Sequence, residues 1–513
     1  MGPVSAGASG YVVLPGKSSL MRSSNELFLL IKSMNRNEKG YFKKFAGINS
    51  KKGEGNYLRL FDCIDAMEVY NEALIKKKFA GEKFIDQLNV TKLYLQKMII
   101  KSLRNYYGDN DPEVQRLNAM AEITLLFKKR LYDSALRQIE KVKAQLIEQE
   151  LHLLYLHLVQ MEFQIYLRKG MYEEILDLGE SKLKAEKEAL AIYENLCDYR
   201  YLQGVVMSRT QIEGHTRNES EKEIRKYITH PLLRDEKLAA SFKARMHRLE
   251  ILNKCYLKIG DYKKAHENAY EMRELFLSNP DKIRIAPYNY FVALNGLINR
   301  CVASLRYDEA LAYVKEAEQL AEDERAQLSD SQRFEMRTQT HEKRLIVYAK
   351  TGQFEKGIET EKHLRLLVKD APIRTELEVT TIYFSGMCYF CSGQLKTALD
   401  KVNMLIHGDF ENIRKDIILC AHWMNVLIHF EFGNYSLMKR LFTVTRNFMK
   451  KHSFPMDDSE ELFARLQDIV KAASSGNKDQ VRARMMALYP TLEHYDVIDD
   501  DIMKWWITHH QSA

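Results

Sequence analysis

The sequence predicts an all-α protein: a solenoid of helical hairpins behind a separate N-terminal helical module. Three observations carry this. First, a bend phrase recurs: a helix end, then Gly-x-aromatic or a close variant, then a second helix, in several copies with Ala three residues past the aromatic. Its key position is occupied by Tyr132, Tyr172, Tyr262, Tyr307, Phe354, Leu395 and Tyr435. The steps between them are 40, 90, 45, 47, 41 and 40 residues, and the step of 90 holds two units around one degenerate copy. Second, helix breakers are scarce, with 23 Gly and 9 Pro in 513 residues, far below the usual shares of about 7% and 5%. Third, apolar residues recur at helical spacing almost throughout.

Residues 1–20 are Gly/Ser-rich without an apolar face and are expected to be a disordered extension, with Met21 a second candidate start. Residues 21–110 form the helical module. Asn25–Met34 is its first helix, and Asn35-x-x-Glu38 has the spacing of a capping box opening a second. A basic loop follows over Gly47–Gly55. Asn56–Tyr70 is a third helix with Phe61, Ile64 and Met67 on one side, and Glu72–Phe79 and Val90–Tyr107 complete the module, Asn89 being the expected N-cap of the last.

Residues 111–455 read as paired helices: Glu113–Lys129 with Tyr132–Gln149, Leu151–Lys169 with Tyr172–Glu188, Ala189–Gln211 with an irregular polar segment to Thr229, and Glu236–Ile259 with Tyr262–Leu277. Ala286–Ser304 then pairs with Tyr307–Ala321, Ser329–Lys350 with Phe354–Lys369, Ile373–Cys391 with Leu395–His407, and Glu411–Phe432 with Tyr435–Lys451. Residues 456–513 are expected to cap the array, with Ser459–Ala473, Lys478–Tyr489 and a last helix around Ile502–Ile507. There the acidic run Asp499-Asp500-Asp501 suits a helix N-terminus, and Trp505 or Trp506 should lie against the preceding pair.

The recurrence has a physical reason. Gly at the bend supplies the left-handed conformation that ends the first helix. The aromatic two residues on should wedge between the helices, and Ala135, Ala265, Ala310 and Ala398 let them approach closely. Four residues before the glycine an aromatic recurs at Tyr166, Tyr256, Tyr348 and Tyr389, and Gly386 adds a close-contact position.

Over residues 113–452 this pattern resembles the tetratricopeptide repeat family, most clearly in Leu249-x-x-Leu252-Asn253-x-x-Tyr256-x-x-x-Gly260-Asp261-Tyr262-x-x-Ala265. The period of 40–47 exceeds the family's 34. The family's Trp near the start of the first helix is missing, the only tryptophans being Trp423, Trp505 and Trp506. The stretch Glu26–Met34 with Glu38–Lys43 looks like the opening of some uncharacterised bacterial repeat proteins. The resemblance implies a right-handed α-solenoid that serves as a binding surface.

Charge is concentrated at one end. Residues 1–110 hold 18 Lys+Arg and 10 Asp+Glu, net +8, and the remainder 59 against 60, net −1. On Val90–Tyr107, Lys97, Lys101 and Arg104 form a basic stripe at i, i+4, i+7, with Leu95, Met98, Ile99 and Leu103 elsewhere on the helix. With Lys76-Lys77-Lys78 and the break at Gly81 before it, the order matches a helix-turn-helix reader, whose ligand would be nucleic acid or another anion.

Motifs of chemistry are weak. Gly10-x5-Gly16-Lys17-Ser18 has one residue too many for a phosphate-binding loop and no preceding strand. Cys388-Tyr389-Phe390-Cys391 is a lone CxxC in an apolar helix, expected to be buried, and the His422/His429 stripe beside Cys420 is expected to line the core or a groove rather than hold a metal. Ser181-Lys182-Leu183-Lys184 lacks the companions of a Ser-x-x-Lys catalyst, and His509-His510 is expected to be exposed. Seven cysteines in a long chain fit reduced thiols, and no apolar run reaches membrane length.

The expected function is therefore non-catalytic: a cytoplasmic scaffold, without cofactor or metal, docking a protein or peptide partner on the concave face where the first helices align. Asn253, Asn295, Asn299, Arg300 and His341 are the candidate lining residues, and self-association is a further use of such a surface. The alternative is a transcription-linked regulator, with residues 21–110 as nucleic-acid reader and the repeats as sensor.

Overall fold

A computed structural model of the chain describes residues 26–49, 55–108, 111–211, 217–368, 375–410, 413–454, 457–494 and 500–512. Twenty-five α-helices, and no strand, occur among these residues. The expectations for residues 1–20, for Gly16-Lys17-Ser18, for most of the basic loop and for Asp499 lie outside them. The chain forms two compact units, one ending at Asp109 and the other starting at Asn110.

The first unit contains α1 (Glu26–Ser33), α2 (Arg36–Asn49), α3 (Gly55–Asp65), α4 (Glu72–Lys78) and α5 (Leu88–Gly108). The capping box is present: the Glu38 N–H donates to Asn35 Oδ1 at 3.0 Å and the Asn35 N–H to Glu38 Oε2 at 2.6 Å. Ile31, Phe42, Phe61, Ile64, Leu95 and Ile99 make the core, with Met67, Met98 and Leu103 partly buried against it. Asn89 is inside α5 rather than at its N-cap, because the preceding 3-10 turn Lys83–Ile85 feeds the helix directly, the Thr91 N–H bonding back to Gln87 O. Lys92 is buried and donates to Glu72 Oε2 at 2.6 Å and Tyr70 Oη at 2.9 Å. Hydrogen bonds from Lys92 and Lys76 hold the pKa of the Glu72 carboxyl down at about 2.

The second unit is a run of helices each packed on its neighbours. It opens with α6 (Pro112–Lys128), α7 (Tyr132–Glu148), α8 (His152–Lys169), α9 (Tyr172–Gln211), α10 (Arg217–Ile228) and α11 (Pro231–Arg234). It continues with α12 (Phe242–Lys258), α13 (Tyr262–Leu277), α14 (Pro280–Ile285), α15 (Pro287–Ala303), α16 (Tyr307–Glu322), α17 (Asp330–Lys350) and α18 (Phe354–Leu367). The last are α19 (Thr375–Cys391), α20 (Leu395–His407), α21 (Lys415–Glu431), α22 (Tyr435–Lys451), α23 (Asp457–Ser474), α24 (Lys478–Leu488) and α25 (Asp500–Ser512). Pro112, Pro231, Pro280 and Pro287 stand at first-turn positions, where a missing N–H costs little.

Every bend copy uses the same backbone. Gly170, Gly260, Gly352, Gly393 and Gly433 have φ of 70 to 75°. In each, the carbonyl five residues before the residue following the glycine accepts that residue's N–H, as from Asp261 to Tyr256 at 2.9 Å and from Gln394 to Tyr389 at 2.9 Å. This is the Schellman closure, and it gives the recurrent tyrosine a backbone role as well as a side-chain one. Where glycine is absent the conformation persists: Arg130 and Leu305 are left-handed, at φ 61° and 58°. Ala135, Ala265, Ala310 and Ala398 are fully buried. In the Phe354 copy the equivalent residue is Gly357, where a Cβ would lie 2.5 Å from Cys388 Sγ.

The structure corrects four further expectations. Tyr172 and Tyr262 do not wedge between helices, being 63% and 61% exposed, because their rings leave the bend towards solvent; the other copies are partly buried. Helices 172–188 and 189–211 are one helix, α9, since Glu186-Lys187-Glu188-Ala189-Leu190-Ala191 contains only strong helix formers and no stop signal. The segment expected to be irregular is the helix α10, anchored by the buried Ile224. His510 is not free, since its Nε2 lies 2.6 Å from Glu431 Oε1. Trp506 is 1% exposed and donates to the same carboxylate oxygen at 2.6 Å. Trp505 meets Phe354 and Phe390 edge-on. The terminal helix thus reaches further back than the last pair, and Lys350 pairs with Asp501 at its start.

Candidate functional site

In α9, α12 and α15, residues three, four and seven apart present one side to a common space, because that spacing keeps side chains on one helical face. The space is a cavity of about 360 Å³, lined by Gln203 and Met207 of α9, Glu250, Asn253 and Lys254 of α12, and Val292, Asn295, Asn299 and Arg300 of α15. Ala269 and Met272 of α13 also contribute. Four of the five residues expected to line a docking face therefore share one cavity. His341 of α17 does not line it: its Nδ1–H donates to the Arg337 carbonyl of its own helix at 2.8 Å, and burial pushes its imidazole below the ordinary range.

The polar groups here are partly paired. Gln203 Nε2 donates to Glu250 Oε2 at 2.6 Å, and His247 Nδ1 lies 3.6 Å from the same oxygen. Asn295 Nδ2 donates to Gln339 Oε1 at 2.6 Å, and Gln339 Nε2 to Glu335 Oε1 at 2.8 Å, a row running on to α17. Asn253 Oδ1, Asn295 Oδ1 and Arg300 Nε are shielded from solvent and make no hydrogen bond. Burial lowers the basicity of the Arg300 guanidinium. Lining atoms of this kind can hold a ligand carrying both acceptors and N–H donors; they include no activated nucleophile.

Sequence reasoning missed Gln203, Glu250 and Lys254. The signal was present, since all three sit on helices that the sequence marks as the first of a pair, at helical spacing from Asn253 or from the apolar stripe.

In the first unit, Lys97, Lys101 and Arg104 are exposed along α5 and form no ion pair among the described residues. Leu93 and Ile100 are exposed on the same helix, so that its outer surface is mixed basic and apolar. Cys388 and Cys391 are buried, and burial pushes the Cys388 thiol up to about 12, which suits packing rather than thiolate chemistry. His422 is buried on Phe448 and His429 contacts Asn434. Among the described residues, no group of three His, Cys, Asp or Glu side chains is placed to hold a metal, and no helix is long and apolar enough to cross a membrane.

No family model matches the chain, and no curated protein matches it. Its class is the one its own geometry defines, an all-α protein of repeat-like helical hairpins.

Proposed function

We propose that this chain is a non-catalytic, cytoplasmic binding protein of tetratricopeptide-like architecture, a right-handed solenoid that docks a peptide or helix along the concave face of its first helices. The observation that supports this reading is the cavity between α9, α12 and α15, where solvent-shielded polar atoms of two of these helices, α12 and α15, are left without partners. Buried polar groups are ordinarily satisfied, and an unsatisfied set in one cavity is what an incoming backbone or side chain completes. The test is selection of peptides from a displayed library on the full chain, followed by binding to Asn299→Trp, which fills the cavity mouth. Peptides should be recovered, and that substitution should abolish their binding. Peptides that bind both proteins equally would place docking elsewhere.

A second reading has its own support. The three unpaired cations on the exposed side of α5 suit an anionic partner, and nucleic acid would give it a strong salt dependence. A gel shift of the full chain on duplex DNA, compared with the Lys97→Gln/Lys101→Gln/Arg104→Gln variant, tests this. Binding that is insensitive to those changes or to salt rules out this use of the stripe.

A further inference from the structure

Helix α9 leaves one face uncovered, and its length is the reason. The second helices α13 and α16 are each packed against the first helix of the following pair, α15 and α17. For residues 172–190 the following first helix is the uninterrupted continuation of α9 itself, which cannot fold back over them. One side of this half lies on α8: Lys182 Nζ is 3.3 Å from Glu162 Oε1 and 4.2 Å from the centroid of the Tyr166 ring, and Ala189 is buried. The other side carries Leu176, Leu183 and Leu190, which are 80%, 51% and 51% exposed. Their seven-residue spacing keeps them on one line, about 21 Å long at 1.5 Å per residue. Single exposed leucines are ordinary, whereas a heptad row of three is the seam that a second helix covers.

The flanking charges identify that second helix. Glu180 and Lys187 are exposed on the same side, three residues before and four after Leu183, and form no ion pair among the described residues. With the leucines at heptad position a, both occupy position e, the edge of the seam. They share one hollow of about 550 Å³ with Leu183. A two-fold axis through Leu183 sets Leu176 opposite Leu190 of a second copy and Glu180 opposite Lys187 of that copy, in both directions at once. Gly179 leaves a notch beside the leucines, with no heavy atom within 4 Å of an added Cβ, so a second backbone can come close.

We propose that this chain pairs with a second copy of itself through α9. The two helices run antiparallel, with Leu176, Leu183 and Leu190 as the apolar seam and Glu180 and Lys187 as two equivalent ion pairs across it. The contact uses the same patch on both molecules, so it closes at two and does not propagate. It does not rest on the docking reading, since the cavity draws on Gln203 and Met207 further along α9. A seam of three leucines per copy is small beside a standard interface of about 1,600 Å², so the pairing should be reversible and weak.

Sedimentation velocity of the full chain from about 1 to 100 µM tests the proposal. The sedimentation coefficient should rise with concentration from the monomer's value to the dimer's. Leu183→Lys, exposed and on the axis, should stay monomeric throughout with an unchanged Tm. Glu180→Lys and Lys187→Glu each turn both ion pairs into like-charge pairs, and each should weaken association about tenfold or more. Mixed one to one, these two variants present opposite charges to each other at both crossings, so the mixture should associate about as the parent does. A parent that remains monomeric over the whole range overturns the proposal. So does association that survives Leu183→Lys, which would place the contact elsewhere. A mixture that associates no better than its separate components overturns it too, because the antiparallel crossing requires recovery.

Discussion

Trp506→Ala is expected to detach the terminal helix. The indole is enclosed by the second unit, meets Phe430 edge-on at 5.1 Å and donates its N–H to Glu431 Oε1. Truncating an enclosed Trp to Ala costs about 3–5 kcal/mol, and Glu431 loses one of its two donors, worth about 1 kcal/mol more. Helix α25 has 13 residues, too few to persist without tertiary contacts, so the loss should appear as local release rather than a weaker whole. Guanidinium denaturation followed by circular dichroism should show an earlier first transition, and limited proteolysis should cut the C-terminal segment sooner. Trp506→Phe, which keeps a ring but not the N–H, should fall between parent and Ala. An Ala variant as stable as the parent, with unchanged cleavage, would show that α25 contributes no capping contact.

Gly357→Ala should destabilise by about 1–3 kcal/mol through overpacking against Cys388 Sγ, and the loss should largely vanish in the Gly357→Ala/Cys388→Ala double variant; additive losses in denaturation would refute the contact. Leu305→Gly should stabilise by about 0.5–1 kcal/mol. Leu305 is left-handed and 71% exposed, so the change releases strain and gives up little apolar burial; a lower Tm would contradict this. For Glu431, burial pushes the carboxyl up, but hydrogen bonds from His510 and Trp506 outweigh it and hold the carboxyl below the ordinary carboxylate range. A depressed folded-state value means that its contribution is present above the unfolded carboxylate's range and lost as pH falls below about 4. Glu431→Gln should therefore flatten the acid limb of a stability–pH curve, and an unchanged limb would refute the linkage.

The hairpin array was legible in the sequence because its bends are a backbone requirement. A left-handed position followed by a helix start constrains residue type locally, and glycine met that constraint in five copies. Arg130 and Leu305 remained readable only because the surrounding Tyr and Ala kept the phrase. The fused helix α9 was not legible: a step of 90 residues implies two units, and nothing local distinguishes two abutting helices from one when no breaker lies between them. The cavity residues Asn253, Asn295, Asn299 and Arg300 could be found as polar groups on first helices. The pairing of Glu431 with both Trp506 and His510 joins residues 75 and 79 positions apart, and no short-range pattern announces such a contact.

Helix α9 has a mechanical consequence. A hairpin array deforms like a spring whose compliance resides in the interfaces between units, each free to slide a little on the next. A helix of 40 residues, about 60 Å at 1.5 Å per residue, runs where two such units would otherwise meet at a loop. One joint of the spring is thereby replaced by a strut, and bending must be taken up on either side of it. Since α9 also forms one wall of the cavity, that wall is carried by the longest helix among the described residues, while the wall from α15 belongs to a hairpin of ordinary length.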